Sequence, residues 1–340
     1  MKIKLLFLIV LSLVAFSFNA SACDYDGDGI DDIATYDSSN NIWRIKKSSD
    51  DSIMEVNFGE NGAFPVPGYY LGTSNPAYPA FVSSDFFWKV FIDPVINEKL
   101  NFGRVDASYL GGHDFNGDGI TDPVKLINRC SRLSSVCHEN STRFNVLYNN
   151  INGNETFYNL SPLVSGFFGK GLSPLYFMDA NNDGKDDVCI AQNRRANKTL
   201  FTGICRDFDS KAVVARYRIG RLFNRPLAVN ILGESYTLIW KRIKKTAETK
   251  VVLISKSNER TRKTLPSDGK VIVGDWLGTG SDQVGLATGG ILTIFNPLDS
   301  SVTSRLMPAG EAVACKNNLS GRAGNKYLTT KNSCRVLNCE

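Results

Sequence analysis

The sequence predicts an all-β fold, on two observations. Short apolar runs at 41–45, 89–92 and 251–254 are separated by turns rich in Gly, Asn, Asp and Pro, and no stretch keeps a helical period. A nine-residue acidic pattern also recurs three times, and self-similarity along a chain is the mark of a repeat architecture.

The chain opens with Lys2 and Lys4, an apolar run from Leu5 to Phe18, and the small residues Ala20, Ser21 and Ala22. This is the pattern of a signal peptide over residues 1–22, leaving 23–340 as the mature unit. The run is short for a membrane span and no later stretch is longer, so no transmembrane segment is expected. A cysteine directly after the cleavage site also raises a lipid anchor at Cys23, although Ala20 is a poor match to such sites and favours plain cleavage. The expected location is secreted or periplasmic.

All eight cysteines follow the signal, which points to disulfides in an oxidising compartment. Cys130 with Cys137 and Cys189 with Cys205 are close enough to staple local hairpins. Cys23, Cys315, Cys334 and Cys339 lie at the two ends, and their pairing cannot be read from spacing. A bond between the ends would lock a ring.

The repeated pattern carries the candidate chemistry. Asp24, Asp26, Asp28 and Asp32 occupy positions 1, 3, 5 and 9 of the first copy. Asp114, Asn116, Asp118 and Asp122 do so in the second, and Asp179, Asn181, Asp183 and Asp187 in the third. A hard cation such as calcium takes six to eight oxygens, and alternate residues of a tight loop can turn theirs inward. Position 7 (Ile30, Ile120, Lys185) would add a backbone carbonyl, and glycine at position 6 permits the bend. An EF-hand is excluded, because position 12 is Thr35, Lys125 or Ile190 rather than Glu and the flanks read as strands.

Fainter copies start near 69, 230, 275 and 318, giving intervals of 45, 45, 65, 51, 45 and 43 residues. The two long intervals contain the local cysteine pairs, as inserted hairpins would. These motifs resemble the FG-GAP (VCBS) repeat family, which includes the integrin α-chain head. The resemblance implies that each repeat is a four-stranded blade of a β-propeller, with calcium held in the acidic loops. It is specific in three repeats, moderate in those at 69 and 275 and weak in the other two, and calcium is not carried over where the acidic residues are replaced. A period of this length fits four short strands, and ring closure protects the sheet edges. Seven blades are expected, with six as the alternative.

Little suggests catalysis. The two histidines, His113 and His138, belong to no zinc motif, and there is no nucleophile elbow or phosphate-binding glycine loop. His113 is expected to pack the second loop and His138 to be exposed. Trp43, Trp88, Trp240 and Trp276 are expected in blade cores rather than on sugar-binding platforms.

Residues 216–270 hold fourteen Lys or Arg against four Asp or Glu. The dense part includes Lys241, Arg242, Lys244, Lys245, Arg260, Arg262 and Lys263 and is a candidate anion-binding surface. The sequence alone favours a solvated strand whose lysines keep a β edge from aggregating. Specific nucleic-acid binding is not expected of an exported chain without a recognised module. Sequons at Asn140, Asn154, Asn159, Asn197 and Asn318 fit an Asn-rich composition as well as glycosylation.

The expected function is therefore a calcium-binding extracellular adhesion or binding module for a glycan or protein, rather than an enzyme. A calcium-dependent, lyase-like polysaccharide enzyme and a structural envelope component are the alternatives.

Overall fold

The computed structural model describes residues 23–72, 76–93, 96–100, 107–130, 137–147, 155–156, 175–193, 200–221, 224 and 226–315. The proposed signal segment, Cys334, Cys339 and the faint repeat from Asn318 lie outside them. So do the sequons at Asn154, Asn159 and Asn197. Among the described residues there is no helix, hence none long and apolar enough to cross a membrane.

The strands are grouped four by four. β1 (Ile33–Asp37), β2 (Ile42–Lys46) and β3 (Ile53–Asn57) belong to sheet I. β4 (Phe64–Pro65), β5 (Ala80–Val82), β6 (Trp88–Asp93) and β7 (Ile96–Leu100) form sheet II. β8 (Ala107–Leu110), β9 (Val124–Cys130), β10 (Cys137–Leu147) and β11 (Glu155–Thr156) form sheet III. β12 (Leu175–Met178), β13 (Asp187–Asn193), β14 (Phe201–Arg206) and β15 (Val213–Gly220) form sheet IV. β16 (Leu227–Ile231), β17 (Glu234–Ile243), β18 (Glu248–Ile254) and β19 (Arg260–Leu265) form sheet V. β20 (Lys270–Gly274), β21 (Gln283–Thr288), β22 (Ile291–Phe295) and β23 (Val302–Leu306) form sheet VI. β24 (Glu311–Val313) then returns to pair with β1 and completes sheet I.

The result is an all-antiparallel β-propeller of six four-stranded sheets. This corrects the expected count of seven. Among the described residues the N-terminal repeat has no first strand of its own; β24 supplies it, and the two ends make one sheet. The Cys23–Cys315 disulfide, spanning 292 residues, seals that junction. It also overturns a lipid anchor at Cys23, because a sulfur held in a disulfide cannot carry a thioether-linked lipid.

Period-2 burial explains why single sheets cannot stand alone. Along β15, Ala215, Tyr217 and Ile219 are buried while Arg216 and Arg218 are exposed. Each buried face meets a neighbouring sheet. Leu110, Phe115 and Val124 of the third repeat pack on Phe177, Val188 and Phe208 of the fourth. Ile33 and Ala312 of sheet I meet Trp276, Leu292 and Ile294 of the sixth repeat, closing the ring. Trp43, Trp88 and Trp276 are fully buried in these interfaces and Trp240 is half-buried, as expected of core residues.

Cys189 and Cys205 are bonded and directly opposed on β13 and β14. They staple the body of a blade, not an inserted hairpin as the long interval suggested. Cys130 and Cys137 are also opposed in backbone register, at the end of β9 and the start of β10, but their side chains lie outside the description. The same holds for His138 and Asn140 on β10. The two observed disulfides agree with a location outside the reducing cytoplasm.

Candidate metal centre

The three acidic motifs fall on equivalent loops, each joining the first strand of a sheet to its second. In sheet I the junction with the C-terminal strand runs through the disulfide. Position 6 is left-handed in all three, at Gly29 (φ 86), Gly119 (φ 77) and Gly184 (φ 85). Asn182, at position 4 of the third loop, is also left-handed, a conformation Asn tolerates better than most residues.

Position 1 anchors each turn. Asp24 Oδ1 accepts from Gly27 N at 2.6 Å and Oδ2 from Gly29 N at 2.8 Å. Asp114 repeats both bonds with Gly117 and Gly119. Asp179 accepts from Asp183 N and Gly184 N. Burial raises the pKa of all three, with repulsion from neighbouring carboxylates added and these amide bonds opposing it. At position 5, Asp28, Asp118 and Asp183 each accept from the position-7 amide of Ile30, Ile120 or Lys185.

Position 9 closes the loop. Asp32, Asp122 and Asp187 are buried, and each accepts the position-2 amide, from Tyr25, Phe115 or Ala180. The second oxygen of Asp32 takes Ser48 N at 2.7 Å. Asp187 is 1% exposed, and its Oδ1 has no hydrogen-bond partner among the described residues. Burial, with repulsion from Asp183, Asp179 and Asp207, raises the Asp187 carboxyl to about 7, and burial raises Asp32 to about 6.

In the first loop, three carboxylates come close enough to share one cation. Ligand oxygens of Asp24, Asp26 and Asp28 lie within 4.8 Å of one another, and two oxygens at about 2.4 Å on opposite sides of one ion are about 4.8 Å apart. Ser48 Oγ donates to Asp28 Oδ2 and Ser49 Oγ to Asp26 Oδ2 from the β2–β3 turn above the loop. Asn116 and Asn181 each turn their amide toward the position-5 carboxylate.

The sixth repeat supplies an internal control. Asp275 still anchors its turn through Thr279 N and Gly280 N. Position 9, however, is Gln283, whose Nε2 donates to Asp275 Oδ1 and Thr279 Oγ1, both at 2.9 Å. A neutral amide thus stands at the position where the three acidic loops place a further carboxylate.

Position 8 was not singled out from sequence, and it links the repeats. Asp186 N donates to Asp114 O at 2.6 Å, and Asp186 Oδ2 accepts from Asp114 N. The same two-point clamp joins Asp31 to Asp275, Thr121 to Tyr69 and Asp282 to Asn230. The remaining junctions are improvised: Ala77 N and the Tyr69 hydroxyl hold Asp24, and Ser235 Oγ donates to Asp179 O. The signal was a column of Asp31, Thr121, Asp186 and Asp282 at one motif position. His113 joins this framework, fully buried, with Nδ1 2.9 Å from Asp186 Oδ2 and its ring edge-on to Phe177.

The basic stretch divides. Arg242 pairs with Asp268, Arg260 reaches the backbone carbonyls of Arg218 and Ile219, and Lys263 donates to Ser300 O at 2.8 Å. Lys256 donates to Ala180 O. These side chains tether sheet V to its surroundings. Lys241, Lys244, Lys245 and Arg262 remain exposed.

No protein-family model matches the chain, and no curated protein does. Among solved structures, it is similar to a functionally unknown protein from Desulfotomaculum acetoxidans DSM 771. That alignment covers 87% of this chain and 89% of that one, at 11% identity and a TM-score of 0.44. It is also similar to BBS1N, crystallised in complex with ARL6DN, over 90% of this chain and 89% of that one, at 10% identity and a TM-score of 0.36. Likenesses this distant carry no argument about function.

Proposed function

We propose that the chain is an exported, calcium-braced propeller of the FG-GAP kind that serves as an extracellular binding module for a glycan or protein. The observation that carries the calcium reading is the contrast between Asp187 and Gln283. At one structural position, the sixth repeat places an amide donor and needs no ion. The fourth sheet's loop places a buried carboxylate whose Oδ1 has no partner among the described residues. A cation at that point would satisfy the free oxygen and offset the repulsion among Asp179, Asp183 and Asp187. Asp24, Asp26, Asp28 and Asp32, and Asp114, Asn116, Asp118 and Asp122, would hold ions in the same way, with the carbonyls of Ile30, Ile120 and Lys185 as further ligands.

Export is supported by the N-terminal pattern and the two disulfides. The binding role is supported by a rigid ring that presents loops at both ends, and by the burial of His113, which leaves it no access to a substrate. Calorimetric titration of the chelator-treated protein is expected to show up to three calcium ions, and melting is expected to shift upward. Unchanged melting with no calcium heat would end the calcium reading. A glycan array followed by product analysis tests the module: turnover of a bound glycan that persists on repurification would replace it with an enzyme.

A further inference from the structure

Lys244, Lys245, Lys250 and Arg262 form a cation cluster on sheet V that the tethers described above do not use. Lys241 on β17 stands directly opposite Lys250 on β18, and both are exposed. Arg262 on β19 pairs with Val252, which puts it on the same face and diagonal to Lys250. Lys244 and Lys245 extend the cluster onto the β17–β18 turn. Among the described residues, Lys244, Lys245, Lys250 and Arg262 have no ion-pair or side-chain hydrogen-bond partner. Glu248 is the one carboxylate of sheet V on this face beside them, and it accepts from Thr246 Oγ1.

By contrast, Lys256, Arg260 and Lys263 in the same sheet are each spent on a neighbouring carbonyl. The cluster lies around the β17–β18 turn, at the end of sheet V opposite its β16–β17 turn, the position that the acidic loops occupy in their own sheets. Its shape selects the partner. A planar surface would touch the turn at Lys244 and Lys245, whereas Lys250 and Arg262 lie back along the sheet face, across strands about 4.8 Å apart. A stripe that runs from a turn onto a face suits an extended chain.

We infer that this stripe binds a linear acidic polysaccharide, with sulfate or uronate groups along the polymer meeting Lys244, Lys245, Lys250 and Arg262. The inference rests on the binding-module reading and deepens it by naming a surface and a partner class.

The test measures binding of the mature chain to a heparin-type sulfated polysaccharide and to polygalacturonate by calorimetry, at low and at physiological salt. Two double variants, Lys244→Gln with Lys245→Gln and Lys250→Gln with Arg262→Gln, are compared with Lys47→Gln on sheet I. Wild type is expected to bind at least one polymer, more weakly as salt rises. Each double variant should lose about tenfold or more in affinity, while Lys47→Gln behaves as wild type. Binding of neither polymer, or equal binding by the double variants, overturns the inference. So does tighter binding of single-stranded DNA or anionic vesicles that disappears with the same substitutions. If a neutral glycan or a protein binds wild type and variants alike, the inference falls while the module reading stands.

Discussion

Asp282 holds Asn230 from the next sheet by two bonds, donating its amide to Asn230 O at 2.7 Å and accepting from Asn230 N at 2.6 Å. Neither residue belongs to an acidic loop, so this junction isolates the clamp from any metal effect. Asp282→Ala removes the acceptor and leaves a half-buried amide unpaired, a loss of about 1–3 kcal/mol. Asp282→Asn keeps a carbonyl at the same place and should recover most of it. Chemical denaturation of both variants checks this, and equal loss in the two would show that the clamp contributes nothing.

The pH response of the calcium-free protein follows from Asp187 and Asp32, raised to about 7 and about 6 by burial. In the unfolded chain both titrate near 3.9. Between those values the unfolded state has released protons that the native state retains, so stability is fully present below about pH 4. It declines as pH rises toward about 7. Melting of chelator-treated protein should therefore fall across this window, and calcium should flatten the profile above it. A flat profile without calcium would mean that these carboxylates ionise freely in the fold.

Asp187→Asn copies the solution found at Gln283. The new amide can donate to Asp179 or Asp183, as Gln283 donates to Asp275. The substitution should raise the melting temperature of the chelator-treated protein at pH 8 and lower the calcium stoichiometry by one. A fall in chelator-treated stability would contradict the reading of Asp187 as an unneutralised carboxylate.

Trp276 and Gly285 are matched in size. A Cβ on Gly285 would stand 2.9 Å from Trp276 Cη2 and 2.8 Å from Leu292 Cδ1. Gly285→Ala should cost about 1–3 kcal/mol by overpacking. Trp276→Ala should cost about 3–5 kcal/mol by leaving a cavity between sheets VI and I. The double variant should be less damaged than the sum, since the added methyl occupies space the indole vacates. Strict additivity in denaturant midpoints would argue against direct packing of the pair.

The all-β class and the turn after the first strand of each sheet were legible because the loop motif needs particular residues at fixed positions. Even Asn230 and Asp275, whose repeats had lost most oxygen ligands, proved to be true position-1 residues. The blade count was misjudged because β24 is three residues long and carries no motif; its identity comes only from pairing with β1. The clamp at position 8 was hidden by chemistry, since Asp31 or Asp186 next to a position-9 acid reads as one more cation ligand. The basic stretch looked uniform because linear sequence does not show that Arg260 and Lys263 reach toward adjacent sheets on opposite sides, while Lys250 reaches neither.

The Cys23–Cys315 bond makes the folded backbone a covalent circle. A protease that cuts one exposed turn between those residues therefore releases no fragment. Its product is a circular permutant of the same propeller, with new termini at the nick and the old ones still sewn together. Separating the molecule into pieces takes a second cut or a reductant, which makes single-site cleavage alone an ineffective way to dismantle it.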